Sequence, residues 1–137
     1  MADDRTFKLK IISPDRMFYE GDVVMVELRT TEGEIGVYKN HSPITAVLAP
    51  GILSIHENDE VKYAALHGGF VEILQDSVTV LAEVVEWPGE IDVKRAEEAK
   101  KRAERRLLEK ENDTDIARAT LALQRAVART QAVKIKV

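Results

Sequence analysis

The chain has 137 residues, 45% hydrophobic and 32% charged, a balance that suits one globular domain plus an appendage and excludes a disordered chain. It contains no cysteine, so disulfides, thiolate nucleophiles and cysteine-based zinc sites are excluded. The net charge of −4 conceals a polarity: residues 1–90 carry seven Lys/Arg against sixteen Asp/Glu, net −9, while residues 91–137 carry thirteen against eight, net +5. The acidic half argues against the whole chain binding nucleic acid. The basic half must face something anionic, whether an acidic protein surface, a phosphate ligand or RNA.

The N-terminal stretch MADDRTFKLK lacks the basic segment and apolar run of a secretory signal. No apolar run approaches the roughly 20 residues that span a bilayer. The expectation is a cytoplasmic protein that can sit on a membrane complex. Strand-like runs follow one another: 7–12, 23–29, Ile35–Tyr38, Ile44–Ala49, Ile52–His56, Val61–Leu66, Phe70–Leu74 and Val78–Val85. Turn chemistry separates them at Ser13-Pro14-Asp15, Glu20-Gly21-Asp22, Glu32-Gly33, Pro50-Gly51, Asn58-Asp59 and Gln75-Asp76. Short strands with frequent turns and no helical period predict an all-β sandwich or barrel rather than βαβ units.

This half offers no catalytic constellation. Gly33 and Gly36 of GEIGVYKNHSP fit tight turns, and His41 sits in a polar loop suited to exposure or contact. His56 and His67 lack metal-ligand spacing. Gly68-Gly69 has neither a following helix nor the Lys-Ser/Thr of a phosphate loop, so a bulge or turn is expected. Ser13, Ser42 and Ser54 lie in no G-x-S-x-G context.

The strap Glu86–Glu90, EWPGE, breaks the strand pattern through Pro88 and Gly89. Asp92 then suits the start of a long helix, ENDTD (Glu111–Asp115) a turn, and 116–133 a second helix. Expected inner faces are Ala96, Ala99, Ala103 and Leu107 on the first helix, with Ile116, Ala119, Leu123, Ala126 and Val127 on the second. An alanine seam buries little area, so the hairpin should sit near balance and open for a better partner. Folded antiparallel about Asn112–Asp113, the helices bring Arg95 level with Arg129, and Arg102 level with Ala122–Arg125. Forked guanidinium donors suit polyphosphate. A solvated charged surface laced with pairs such as Glu97–Lys101 explains the same spacing equally well.

Taken in order, GEIGVYKNHSPITAVLAPG, HGGFVEI, SVTVLAEVVE and IDVKRAEEAKKRAERRL resemble the epsilon-subunit family of bacterial F-type ATP synthases, across essentially the whole chain. The fold to be expected is then α+β: an N-terminal antiparallel β-sandwich (1–86) followed by a C-terminal antiparallel two-helix hairpin (87–137). The resemblance implies a non-catalytic central-stalk subunit, peripheral on the cytoplasmic face of the membrane. Its sandwich would dock on the gamma subunit and the c-subunit rotor ring. Its helices would inhibit ATP hydrolysis by reaching toward the beta subunits, and no nucleic acid would be involved.

The family's Ile/Leu-Asp-x-x-Arg-Ala motif stands here as Ile91-Asp92-Val93-Lys94-Arg95-Ala96, and matching positions are Glu86, Arg102, Arg125 and Arg129. The resemblance implies that Glu86, Ile91 and Asp92 engage the adenosine end of ATP and that the arginines hold its phosphates. It requires no cofactor, makes ATP a regulatory ligand, and leaves Mg²⁺ open. Glu34 resembles a rotor-ring contact in a loop, and His41 a position near gamma. Trp87-Pro88-Gly89 departs from the family pattern. The strap therefore reads as a hinge and part of a ligand site. A purely structural stalk linker without nucleotide binding is the alternative.

Overall fold

The structure, a computed structural model, describes residues 4–109 and 115–135. The expected turn at Glu111–Asp115 lies outside the described residues except for Asp115. The chain opens with β1 (Phe7–Ser13) and β2 (Arg16–Val23), joined by the Pro14-Asp15 turn. Glu20-Gly21-Asp22, expected as a turn, is instead the middle of β2. Gly21 pairs with Leu9, and the flanking carboxylates meet Lys10 and Lys8 across the ladder at 3.7 and 3.6 Å. Any Cβ at Gly21 would fall 2.7 Å from Tyr19 Oη, so glycine here serves the close approach of a ring and does not reverse the chain. A bulge after Ile11 turns both Phe18 and Tyr19 inward.

The remaining strands are β3 (Met25–Thr30), β4 (Gly33–Val37), β5 (Ile44–Leu48), β6 (Gly51–His56), β7 (Val61–Leu66), β8 (Gly69–Ile73), β9 (Ser77–Ala82) and β10 (Val85–Glu86). Their order is β10-β7-β6-β3-β5-β8-β9-β1-β2, with β4 also paired to β3. Pairing is antiparallel except for β1 against β9, which run parallel. The path folds where β3 leaves β6 and meets β5 through the single pair Thr30–Leu48. Leu9, Ile11, Val71 and Val80 from one side then face Val26, Leu53, Ile55 and Ala64 from the other in one core. Strict alternation in β8, buried at Val71 and Ile73 but exposed at Phe70 and Glu72, shows a half-buried layer.

The run 78–85, expected as one strand, is two strands in different places. β9 stays with β8 and β1, while β10 crosses to β7. The bend at Glu83-Val84 is fixed by Glu83 N–H donating to Gly68 O at 3.1 Å and His67 N–H donating to Val84 O at 2.8 Å. Gly68 and Gly69 have φ of +85° and +123°, and a Cβ on Gly69 would lie 2.1 Å from Leu81 O. The glycine pair is thus a tight backbone crossing, and it carries Glu86 over to the face where the helices pack.

After a 3-10 turn at Pro88–Glu90 come α1 (Val93–Glu109) and α2 (Ile116–Lys134). Asp92 Oδ1 accepts from Arg95 N–H and Asp115 Oδ1 from Arg118 N–H, both at 3.1 Å, so a carboxylate caps each helix. The seam is small, as expected: Ala96 and Ala103 on α1, Ala119 and Ala126 on α2 are buried. Ile116 is the correction, since it is 56% exposed. Ala128, Thr130 and Ala132 are buried as well, because α2 also packs on β6 and β7. Ala65, Ile91, Ala96 and Ala132 form a second, smaller cluster between sheet and hairpin. Alanine burial removes little apolar surface compared with the Leu and Ile core, so the hairpin is held much more weakly than the sandwich. Among the described residues, no helix is long and apolar enough to cross a membrane.

Candidate functional site

The strap, expected as a hinge, is pinned to the sandwich. Trp87 stacks on Phe18 with ring centroids 4.1 Å apart and meets Tyr19 edge-on at 6.5 Å. Glu90 Oε1 accepts from Arg16 at 2.8 Å and from Trp87 N–H at 2.8 Å. Those two bonds hold the Glu90 carboxyl below its ordinary pKa, Arg16 contributing most. The Arg16 guanidinium also lies 5.0 Å over the Phe18 ring. Trp87, with Glu90, therefore fastens the strap to the sandwich.

Above the strap lies a cleft of about 380 Å³ between β10, α1 and α2. Glu86, Glu90, Ile91 and Asp92 form its floor and one wall, Arg95, Ala96, Ala99 and Arg102 of α1 another, and Arg129 of α2 the third. Seven of the eight residues singled out in the strap and helices thus share one cavity. Arg125 does not line it, and its guanidinium lies 4.0 Å from Glu83 instead. Arg129 Nε donates to Glu86 Oε1 at 2.7 Å, and His67 Nε2 lies 3.0 Å from the same oxygen. His67 is 1% exposed. Burial first, then the Arg129 charge, pushes its pKa below the ordinary value against the pull of Glu86.

Three guanidiniums converge here with one apolar wall, Ile91 and the alanines, and a capping carboxylate. The volume falls within the roughly 300–1,000 Å³ of small-molecule sites. Forked cationic donors beside a small apolar shelf suit an anionic ligand with a flat, partly apolar end. Glu34 sits elsewhere, on β4 opposite Arg29 and not in a loop, though next to the hairpin tip. His41 is in the loop before β5, its Nδ1 2.7 Å from Ser42 O. Neither lines the cleft. Glu90 and His67 went unrecognised in the sequence. Glu90 has the weak signal of an acid three residues after Trp87, and His67 that of a strand end followed by two glycines.

Residues 6–88 match the family model described as the ATP synthase delta/epsilon chain β-sandwich domain, and residues 90–134 match its long α-helix domain. The chain belongs to the ATP synthase delta/epsilon chain family. Relatives named ATP synthase epsilon chain include one from Caldanaerobacter subterraneus subsp. tengcongensis, 44% identical over 92% of this chain and 92% of the relative. Another, from Halalkalibacterium halodurans, is 45% identical over 90% of this chain and 94% of the relative. The fold is shared with a chain of the Euglena gracilis mitochondrial ATP synthase, TM-score 0.81 at 23% identity, over 93% of this chain and 81% of that one. It is shared with a chain of the Tetrahymena thermophila mitochondrial ATP synthase too, TM-score 0.60 at 16% identity, over 93% and 96%. In this delta/epsilon chain the boundary between the two family domains falls at the pinned strap, so the cleft is built from both.

Proposed function

We propose that this chain is the epsilon subunit of a rotary ATP synthase central stalk, that it senses ATP in the cleft, and that it inhibits ATP hydrolysis when its helices leave the sandwich. The observation that carries the reading is the convergence of Arg95, Arg102 and Arg129 with Glu86, Ile91 and Asp92 on one cavity spanning strap, α1 and α2. A triphosphate there bridges guanidiniums of both helices. It thereby stabilises a hairpin whose own alanine seam contributes little. Without ATP the helices open toward the catalytic beta subunits, whose surface would have to be acidic to match the basic half. Because the strap is held by Trp87 and Glu90, opening pivots at Ile91-Asp92, beyond those contacts.

The sandwich is the docking body. Val47, Phe70 and Leu81 pair across β5, β8 and β9, and the row continues through Ile12 to Met17. Val47, Phe70, Leu81 and Met17 are 48–53% exposed, an apolar stripe that would be covered by the gamma subunit. Glu34 and His41 are the proposed contacts to the rotor ring and gamma. The subunit has no chemistry of its own in this reading, and it stays on the cytoplasmic side of the membrane as a peripheral part of the complex.

ATP titration by calorimetry tests the sensor: one saturable site is expected, weakened by Asp92→Ala and by Arg95→Ala, with and without Mg²⁺. No heat at millimolar ATP would remove the sensor role. Truncation after Glu90 tests the regulation. The assembled enzyme should form and hydrolyse ATP faster, and loss of assembly would favour a structural tail.

A further inference from the structure

His67 lies just beyond the end of β7, buried, and its backbone N–H is bonded to the bend that delivers Glu86. Its Nε2 meets Glu86 Oε1, the same oxygen that accepts from Arg129. A carboxylate oxygen is an acceptor, so Nε2 carries the proton and donates. Among the described residues His67 Nδ1 has no partner, which suits a bare ring nitrogen far better than a buried N–H. The charged groups facing the ring are Glu86 from β10 and Arg129 and Arg125 from α2. Burial and the arginines hold the ring neutral at neutral pH.

We propose that His67 is a positioning residue of the cleft: a neutral ring protonated at Nε2 fixes the rotation of Glu86 and, through Glu86, aims Arg129 at the phosphates of a nucleoside triphosphate. This rests on the nucleotide reading above. Both bonds end on Oε1, so one oxygen is held between a ring that is 1% exposed and a helix side chain. A neutral donor does this without placing a third cation against Arg129 and Arg125, which an imidazolium would.

The test is ATP titration of the full chain at pH 8 for His67→Ala and His67→Gln, each also in a Glu86→Ala background. His67→Ala should weaken binding about tenfold, and His67→Gln, a neutral donor, should restore it to within about threefold. In the Glu86→Ala background, which has no side-chain acceptor, His67→Ala should cost nothing further. An equal loss in both backgrounds, or unchanged affinity in His67→Ala, overturns the proposal. Ring ¹⁵N shifts of the ligand-free chain read the same contact without nucleotide. A ring protonated at Nδ1, or one unaffected by Glu86→Ala, overturns the proposal whether or not ATP binds. Failure to bind ATP with an Nε2-protonated, Glu86-sensitive ring overturns the nucleotide reading and leaves the Glu86 contact standing.

Discussion

Arg129 Nε donates to Glu86 Oε1 at 2.7 Å, tying the last turns of α2 to the strand that ends the sandwich. The two side chains are 33% and 24% exposed, so solvent screens the pair only in part. Arg129→Ala should therefore weaken hairpin docking by about 1 kcal/mol. Amide exchange should quicken about fivefold in α2 at that cost and stay unchanged in β1, β8 and β9. A uniform change across both halves would contradict this.

Acid should act on the fold in two windows. His67 has a folded pKa below its ordinary 6.5. The unfolded chain thus takes a proton that the folded chain refuses, and stability falls as pH drops below about 6.5 until the folded pKa is passed. Glu90 has a folded pKa below its ordinary 4.5. Its contribution is present above that value and is lost as pH falls through the folded pKa. Urea melts against pH check both: His67→Gln should remove the first slope, and Glu90→Gln should reduce the second, leaving the share of Asp15, whose pKa is also lowered by its bond from Ser13.

Gly69→Ala should be severely destabilising, by about 3 kcal/mol or more. The added Cβ meets Leu81 O at 2.1 Å, and φ is +123°. Equilibrium unfolding should show the loss, while Gly89→Ala, with open space around its Cβ position, should change stability by less than about 1 kcal/mol.

Phe70→Glu places a charge in the middle of the exposed apolar row, between Val47 and Leu81. The isolated chain should melt as before and bind ATP as before. If the gamma subunit covers this row as proposed, affinity for it should fall at least tenfold in a pull-down or calorimetric titration, since a buried unpaired carboxylate costs more than about 1.4 kcal/mol. Undiminished gamma binding would move the docking face elsewhere.

The strands, the hairpin and the alanine seam were legible because each has its own period: alternation in β8, helical spacing at Ala96–Ala103 and Ala119–Ala126. What escaped were features made by crossings between distant segments. Glu20-Gly21-Asp22 looks like a turn, yet Gly21 is there to clear the Tyr19 ring. The run 78–85 looks continuous, yet Gly68-Gly69 pulls it apart and hands Glu86 to His67. Ile116 carries the right spacing for the seam, but it lies in the first turn of α2 and stays exposed. The cleft residues were legible in part through the antiparallel register of Arg95 and Arg129 and through the family motif. The fastening of the strap by Phe18, Arg16 and Trp87 joins residues roughly seventy positions apart, which no local pattern encodes.

The central claim is that ATP in the cleft holds the hairpin against the sandwich, and hydrogen exchange of α1 and α2 measures it most directly. With free ATP at ten times its dissociation constant, hairpin amides should exchange about elevenfold more slowly, equivalent to about 1.4 kcal/mol, while the sandwich core is unaffected. Arg95→Ala should abolish the slowing at the same ATP concentration. Hairpin exchange that is indifferent to saturating ATP would contradict the account.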